Sequence, residues 1–173
     1  MARSVCLLKG VNVGGKNRLP MASLRELFTS LGHEDVETVI QSGNVIFKPH
    51  GRPSAAGLEE AIASEFGLRV PVVLRTASEL GRVLQKNPFA DADEQFLHVA
   101  FLQERPAAAA LRDVDAAGFA PERFALVGRD LYLHLPHGMA RTKLPATLER
   151  RLRLPMTVRN LRTVTTLAER SAA

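Results

Sequence analysis

The chain has 173 residues, 46% of them hydrophobic, and a formal net charge of +5. That length suits one large domain or two small ones, and that apolar content buries a core and excludes wholesale disorder. A single cysteine, Cys6, excludes an intrachain disulfide, and no apolar run reaches the roughly 18 residues of a membrane span, so a cytosolic protein with no membrane partner is expected.

The first twenty residues open with Val5-Cys6-Leu7-Leu8, apolar on both sides as a central strand buried on two faces must be. A glycine-rich loop with cations around it follows, from Lys9 to Arg18. Met21, Leu24, Leu27, Phe28 and Leu31 then recur at helical spacing, and Gly32 suits the C′ position. Val36–Gln41 and Asn44–Phe47 read as two strands joined by the tight turn Ser42-Gly43. Ser54 caps a helix with apolar Leu58, Ile62 and Phe66, stopped by Gly67. Val70–Leu74 is a further strand. This β-α-β-β-α-β order is the ferredoxin-like, split βαβ arrangement.

Thr76 and Glu79 form a capping-box pattern ahead of Leu80, Val83 and Leu84, and Asn87-Pro88 ends that extra helix. A boundary is expected in the polar stretch beyond, dividing residues 1–90 from residues 91–173. The second half begins again with a strand, Phe96–Leu102. A short helix is expected from Pro106 through the alanine run to Asp115. Glu122–Val127 and Leu131–Leu135 form a hairpin across Gly128-Arg129-Asp130. Leu144, Leu148 and Leu152 mark a helix with Pro145 in its first turn. A short strand at Met156–Val158 and a last helix through Leu161, Val164 and Leu167 complete the chain. The fold class is thus α+β, two ferredoxin-like subdomains packed as one compact unit, with no residue-level repeat visible between the halves.

Charge is placed unevenly. Residues 1–20 carry four cations and no acid, residues 21–140 carry 11 cations and 16 acids, and residues 141–173 carry eight cations and two acids. If the two basic ends converge, they make one positive face, the footprint of a phosphate-bearing partner. Gly10 to Lys16 matches seven positions of the nucleotide-binding P-loop, but Asn17 stands where a magnesium-binding hydroxyl belongs, and Leu19-Pro20 delays the helix. Binding of phosphate by the amides of Gly14 and Gly15 does not need that hydroxyl. Lys9, Asn12, Lys16 and Asn17 are candidate ligand residues of the same loop. Gln41, Ser42 and Asn44 offer polar groups at a hairpin tip. Arg141 and Lys143 precede one helix, and Arg159 and Asn160 open another, positions that oppose the helix dipole unless an anion is present.

No residue pattern supports a metal or a cofactor. His134-x-x-His137 lacks a fixed ligand geometry, His98 reads as structural, and Cys6 in its apolar strand reads as inert. No nucleophile elbow or zinc-protease motif occurs, so catalytic residues stay unassigned. The first central strand carries no aromatic, so nucleic acid would be held through its phosphates rather than stacked on a sheet.

Leu7 to Asn17, Pro20-Met21-Ala22 and Ile40 to Phe47 together resemble the bacterial domain-of-unknown-function family numbered 1697. Asn87-Pro88-Phe89, Thr142-Lys143-Leu144 and Thr157 to Val164 are similar to its later motifs, with Leu161 where the family's tryptophan is expected. The resemblance implies two ferredoxin-like α+β subdomains and no activity. It points to the loop and helix-start residues already chosen. The expectation is a protein that binds an anionic ligand, a nucleotide, a phosphorylated metabolite or a nucleic-acid backbone. The alternatives are an enzyme acting on a phosphorylated small molecule and a docking module for an acidic protein.

Overall fold

The computed structural model describes residues 2–173. The chain divides into two compact units, Met1–Arg82 with Thr166–Ala173, and Val83–Thr165. The first unit is built on β1 (Ser4–Leu8), whose five residues are all buried. Its order continues α1 (Met21–Ser30), β2 (Glu34–Val39), β3 (Asn44–Lys48), α2 (Ala55–Phe66) and β4 (Val72–Thr76). β1 pairs antiparallel with both β3 and β4, giving the sheet order β2-β3-β1-β4, the ferredoxin-like arrangement.

Local chemistry explains the elements. α1 buries Met21, Leu24, Leu27 and Phe28, one stripe at helical spacing, against Cys6, Leu8, Val45 and Phe47 of the sheet. The Phe28 and Phe47 rings meet edge to face at 5.1 Å, the preferred aromatic geometry. Leu31 does not extend that stripe: it is the C-cap residue and is exposed, because Gly32 (φ +88°) turns the chain there. α2 follows expectation at both ends, with the Gly57 amide donating to Ser54 Oγ and Gly67 left-handed at its close. β4 leads directly into α3 (Ala77–Gln85) through a complete capping box: Glu79 N–H donates to Thr76 Oγ1 and Thr76 N–H donates to Glu79 Oε2. The end of the last helix belongs to this unit, where Arg170 Nη1 lies 2.7 Å from Glu37 Oε1.

The second unit repeats the sheet with β5 (Leu97–Leu102), β6 (Arg123–Val127), β7 (Asp130–His134) and β8 (Met156–Asn160), in the order β6-β7-β5-β8. α4 (Leu144–Leu152) precedes β8, and α5 (Leu161–Ala172) follows it. The β6–β7 turn has two residues, Gly128 (φ +65°) and Arg129, the pattern of a type II′ hairpin. The helix expected from Pro106 to Asp115 is not formed. Turns close instead by i→i+3 bonds, such as Ala110 N to Ala107 O and Val114 N to Leu111 O, and a 3₁₀ turn follows at Ala117–Phe119. Alanines favour helix intrinsically but bury little surface, and a short helix needs a packed face to persist. Here only Ala110, Leu111, Val114 and Phe119 lean on the core, each partly buried.

Burial also fixes protonation. His33 is 8% exposed, its Nδ1 accepts from the His50 amide at 3.1 Å, and its ring lies 4.7 Å from that of Phe47. Desolvation first, and His50 second, hold its pKa below the ordinary 6.5. Desolvation does the same to His98, whose Nδ1 has no hydrogen-bond partner among the described residues. The unfolded chain takes up protons near the ordinary histidine pKa while the folded chain resists, so stability is full above that pKa and declines as pH falls below it. The melting temperature should therefore drop between about pH 7 and pH 5. The His33 ring proton shifts should titrate with a midpoint below 6.5; a midpoint at or above that value contradicts the assignment.

Candidate functional site

In the first unit the glycine-rich segment is a miniature hairpin. Asn12 N–H donates to Asn17 O and Lys16 N–H donates to Val13 O, while Gly14 (φ +58°) and Gly15 (φ +74°) form the turn. Two successive left-handed residues define a type I′ turn, for which Gly-Gly is a preferred sequence. This geometry is not that of a P-loop, in keeping with Asn17 and with the Leu19-Pro20 delay before the helix. A P-loop carries its lysine into a helix, whereas Lys16 closes this hairpin and α1 starts only at Met21. The Gly14 and Gly15 amides stand at an exposed tip.

Asn12 holds the hairpin down. Its Nδ2 donates to Leu19 O (2.8 Å) and to Gln41 O (2.7 Å), and its Oδ1 accepts from Leu19 N–H (2.8 Å). Both amide protons and the carbonyl are thereby engaged. Asn17 Nδ2 donates to Gly10 O, and Lys9 N–H donates to Pro71 O. The connector between β2 and β3 is Ile40–Gly43, longer than the two-residue turn expected. Asn44, fully buried, closes it by donating to Val39 O and Ser42 Oγ. Gly43 (φ +82°) accepts from Leu8 N–H, and a Cβ there would lie 2.7 Å from Val11 Cγ2 and 2.8 Å from Leu8 Cβ. Gln41 and the hairpin loop are therefore neighbours. Asn12, Asn17 and Asn44 donate to backbone carbonyls, Ser42 Oγ accepts from Asn44, and Lys16, Arg18 and Gln41 remain as exposed side chains with no hydrogen bond or ion pair among the described residues.

In the second unit Arg141 and Lys143 line one cavity of about 690 Å³ with Thr142, His137, Phe119 and Glu122. Neither cation makes an ion pair or a side-chain hydrogen bond among the described residues, and Glu122 is the one acid in the cavity lining. The cavity lies at the opening of α4. Thr142 Oγ1 accepts the Leu144 amide there, and Pro145 has none to give, so few amides remain and the cations carry the attraction for an anion. Glu122 was not singled out from the sequence, and His137 was weighed there only as a metal ligand paired with His134.

Arg159 and Asn160 sit differently. Arg159 is 8% exposed, and its Nη1 donates to Thr157 Oγ1 (2.7 Å) and Val158 O (3.0 Å). Asn160 Oδ1 accepts from Thr163 N–H and caps α5. The first unit has the same device. Arg75, 2% exposed, lies opposite Val5 in register as Arg159 lies opposite Val99, and its Nη1 donates to Leu74 O. Thr76 then caps α3 as Asn160 caps α5. A residue-level repeat therefore exists after all, a buried arginine followed by a polar cap at the end of each fourth strand. The sequence signal was Arg75-Thr76 and Arg159-Asn160, each just ahead of an amphipathic helix.

The His134-x-x-His137 pair offers one nitrogen fewer than its spacing suggests, since His134 Nδ1 accepts from Arg123 Nε at 3.1 Å. Two substitutions separate the roles of the loop residues. Gly43→Ala meets both a left-handed backbone and two close side chains, and should lower unfolding free energy by about 2–4 kcal/mol. Gly15→Ala meets open space and only the backbone penalty, about 1–2 kcal/mol. Urea denaturation checks the order; equal losses would mean the close approach at Gly43 is relieved without cost.

Among solved structures, the conserved bacterial protein SP0830 from Streptococcus pneumoniae matches with a TM-score of 0.70 at 24% sequence identity, over 98% of this chain and 98% of that one. At such identity the likeness concerns the fold. No curated protein matches the chain. The family model described as a protein of unknown function, DUF1697, matches residues 1–132. The chain belongs to the DUF1697 family.

Proposed function

We propose that the protein binds a phosphate-bearing small molecule in the cavity at the opening of α4. The observation that carries this reading is the placing of Arg141 and Lys143, both without partners among the described residues, on one concave surface. Cations at a helix N-terminus cost about 0.3–1 kcal/mol each against the dipole, a cost that an anion bound between them reverses. A volume of about 690 Å³ falls in the range of small-molecule sites. Phe119 and Pro121 supply an apolar wall for the rest of the ligand, and the Thr142 hydroxyl stands between the two cations in sequence. The ligand class is a nucleotide or another phosphorylated metabolite with an apolar part.

Calorimetric titration with ATP and with inorganic pyrophosphate tests this reading. Wild type should bind, and an Arg141→Ala/Lys143→Ala variant should bind about 10–100-fold more weakly, as losing one or two charge-assisted contacts requires. The same variant should melt at an unchanged or higher temperature, because it no longer opposes the dipole. Glu122→Gln should tighten binding by removing the repelling carboxylate. Equal, weak heats from wild type and the double variant would overturn the assignment.

A further inference from the structure

The first unit leaves two aliphatic side chains in solvent beside unpaired cations. Val13, on the glycine hairpin, is 62% exposed, and Ile40, on the β2–β3 connector, is 56% exposed. The loops that carry them are tied together by the bond from Asn12 Nδ2 to Gln41 O, one residue away from each. Ile40 is held at φ +52°, a conformation that a β-branched residue adopts only under constraint. Lys16 lies across the hairpin from Val13, and Arg18 follows in the same loop. No acid occurs anywhere in residues 1–20. Gln41, next to Ile40 in the chain, has an exposed carboxamide with no hydrogen-bond partner among the described residues.

We propose that the hairpin at Val13–Lys16 and the connector at Ile40–Gly43 form a docking surface for single-stranded nucleic acid, distinct from the cavity in the second unit. Lys16 and Arg18 meet the phosphates. Val13 and Ile40 meet the apolar faces of sugars and unpaired bases, and the Gln41 carboxamide, with two donors and an acceptor, meets a base edge. Gly14 and Gly15 put no Cβ in the path of a strand lying against the turn. Charge complementarity favours a polyanion. A duplex would satisfy the cations but hide the base faces that the aliphatics need. A lipid surface would satisfy both, but a bilayer anchor draws on aromatics or an amphipathic helix, whereas this surface presents two isolated aliphatics and an amide.

Fluorescence anisotropy with a labelled oligouridine of about 12 nucleotides tests the proposal, within the range of known single-strand site sizes. Two phosphate contacts give a slope of log affinity against log salt of about −1.4 on a single strand. The Lys16→Ala/Arg18→Ala variant should bring that slope close to zero. Ile40→Gly relieves the left-handed backbone, so its melting temperature should hold or rise while its affinity falls at least about five-fold with the slope unchanged. Any of four results would overturn the proposal: no binding by wild type; no change in slope with the cations removed; equal affinity for a duplex of the same length; or sedimentation with phosphatidylserine–phosphatidylcholine vesicles in place of oligonucleotide binding. Loss of oligouridine binding in Arg141→Ala/Lys143→Ala but not in the hairpin variants would also overturn it, while leaving the cavity reading intact.

Discussion

Asn12 is the residue on which the loops around the glycine hairpin of the first unit depend. One carboxamide joins three segments: the glycine hairpin that contains it, the approach to α1 at Leu19, and the β2–β3 connector at Gln41. A ten-residue loop with three glycines would otherwise be flexible, since each left-handed glycine is also free to leave that conformation. Here left-handed backbone at Gly10, Asn12, Gly14, Gly15 and Asn17 is over-determined by side-chain and main-chain hydrogen bonds. Asparagine suits the task because it tolerates positive φ and both donates and accepts.

The same division of labour holds in the second unit. Neutral polar groups and buried arginines hold the backbone, as Asn160 does at α5 and Arg159 does at the end of β8. Arg141 and Lys143, by contrast, make no ion pair or side-chain hydrogen bond among the described residues. Burying a guanidinium requires hydrogen-bond partners for its fork, and the strand carbonyls and the Thr157 hydroxyl supply them. An exposed cation without a partner adds nothing to the fold, and at a helix start it opposes the dipole. This distinction, rather than total charge, separates the cations that hold the fold from those left to solvent.

Much of the fold was legible because its signals are local. Val5 to Leu8 could only be a central strand, and Ser54 with Gly67 bracketed α2 to the residue. The alanine run after Pro106 misled, because propensity without an apolar face does not hold a short helix. The glycine loop was legible only in part. Leu19-Pro20 marked the late start of α1, but the hairpin signal of Gly14-Gly15 between Val13 and Lys16 was masked by the overlapping P-loop spacing. Arg159 and Asn160 looked like ligand residues because their burial and capping bonds depend on register with β5. The cavity in the second unit brings Phe119 and Glu122 to Arg141 and Lys143 across a non-local contact that no periodicity encodes.

Docking on the first unit requires the exposed hairpin to be rigid before any ligand arrives, because only then are its cations and aliphatics pre-organised. Backbone ¹⁵N order parameters across residues 10–18 measure that directly. Wild type should give values near about 0.85, and Asn12→Ala should bring them below about 0.6 while the helices stay unchanged. Wild-type values already at the lower level, or no response to the substitution, would contradict the account.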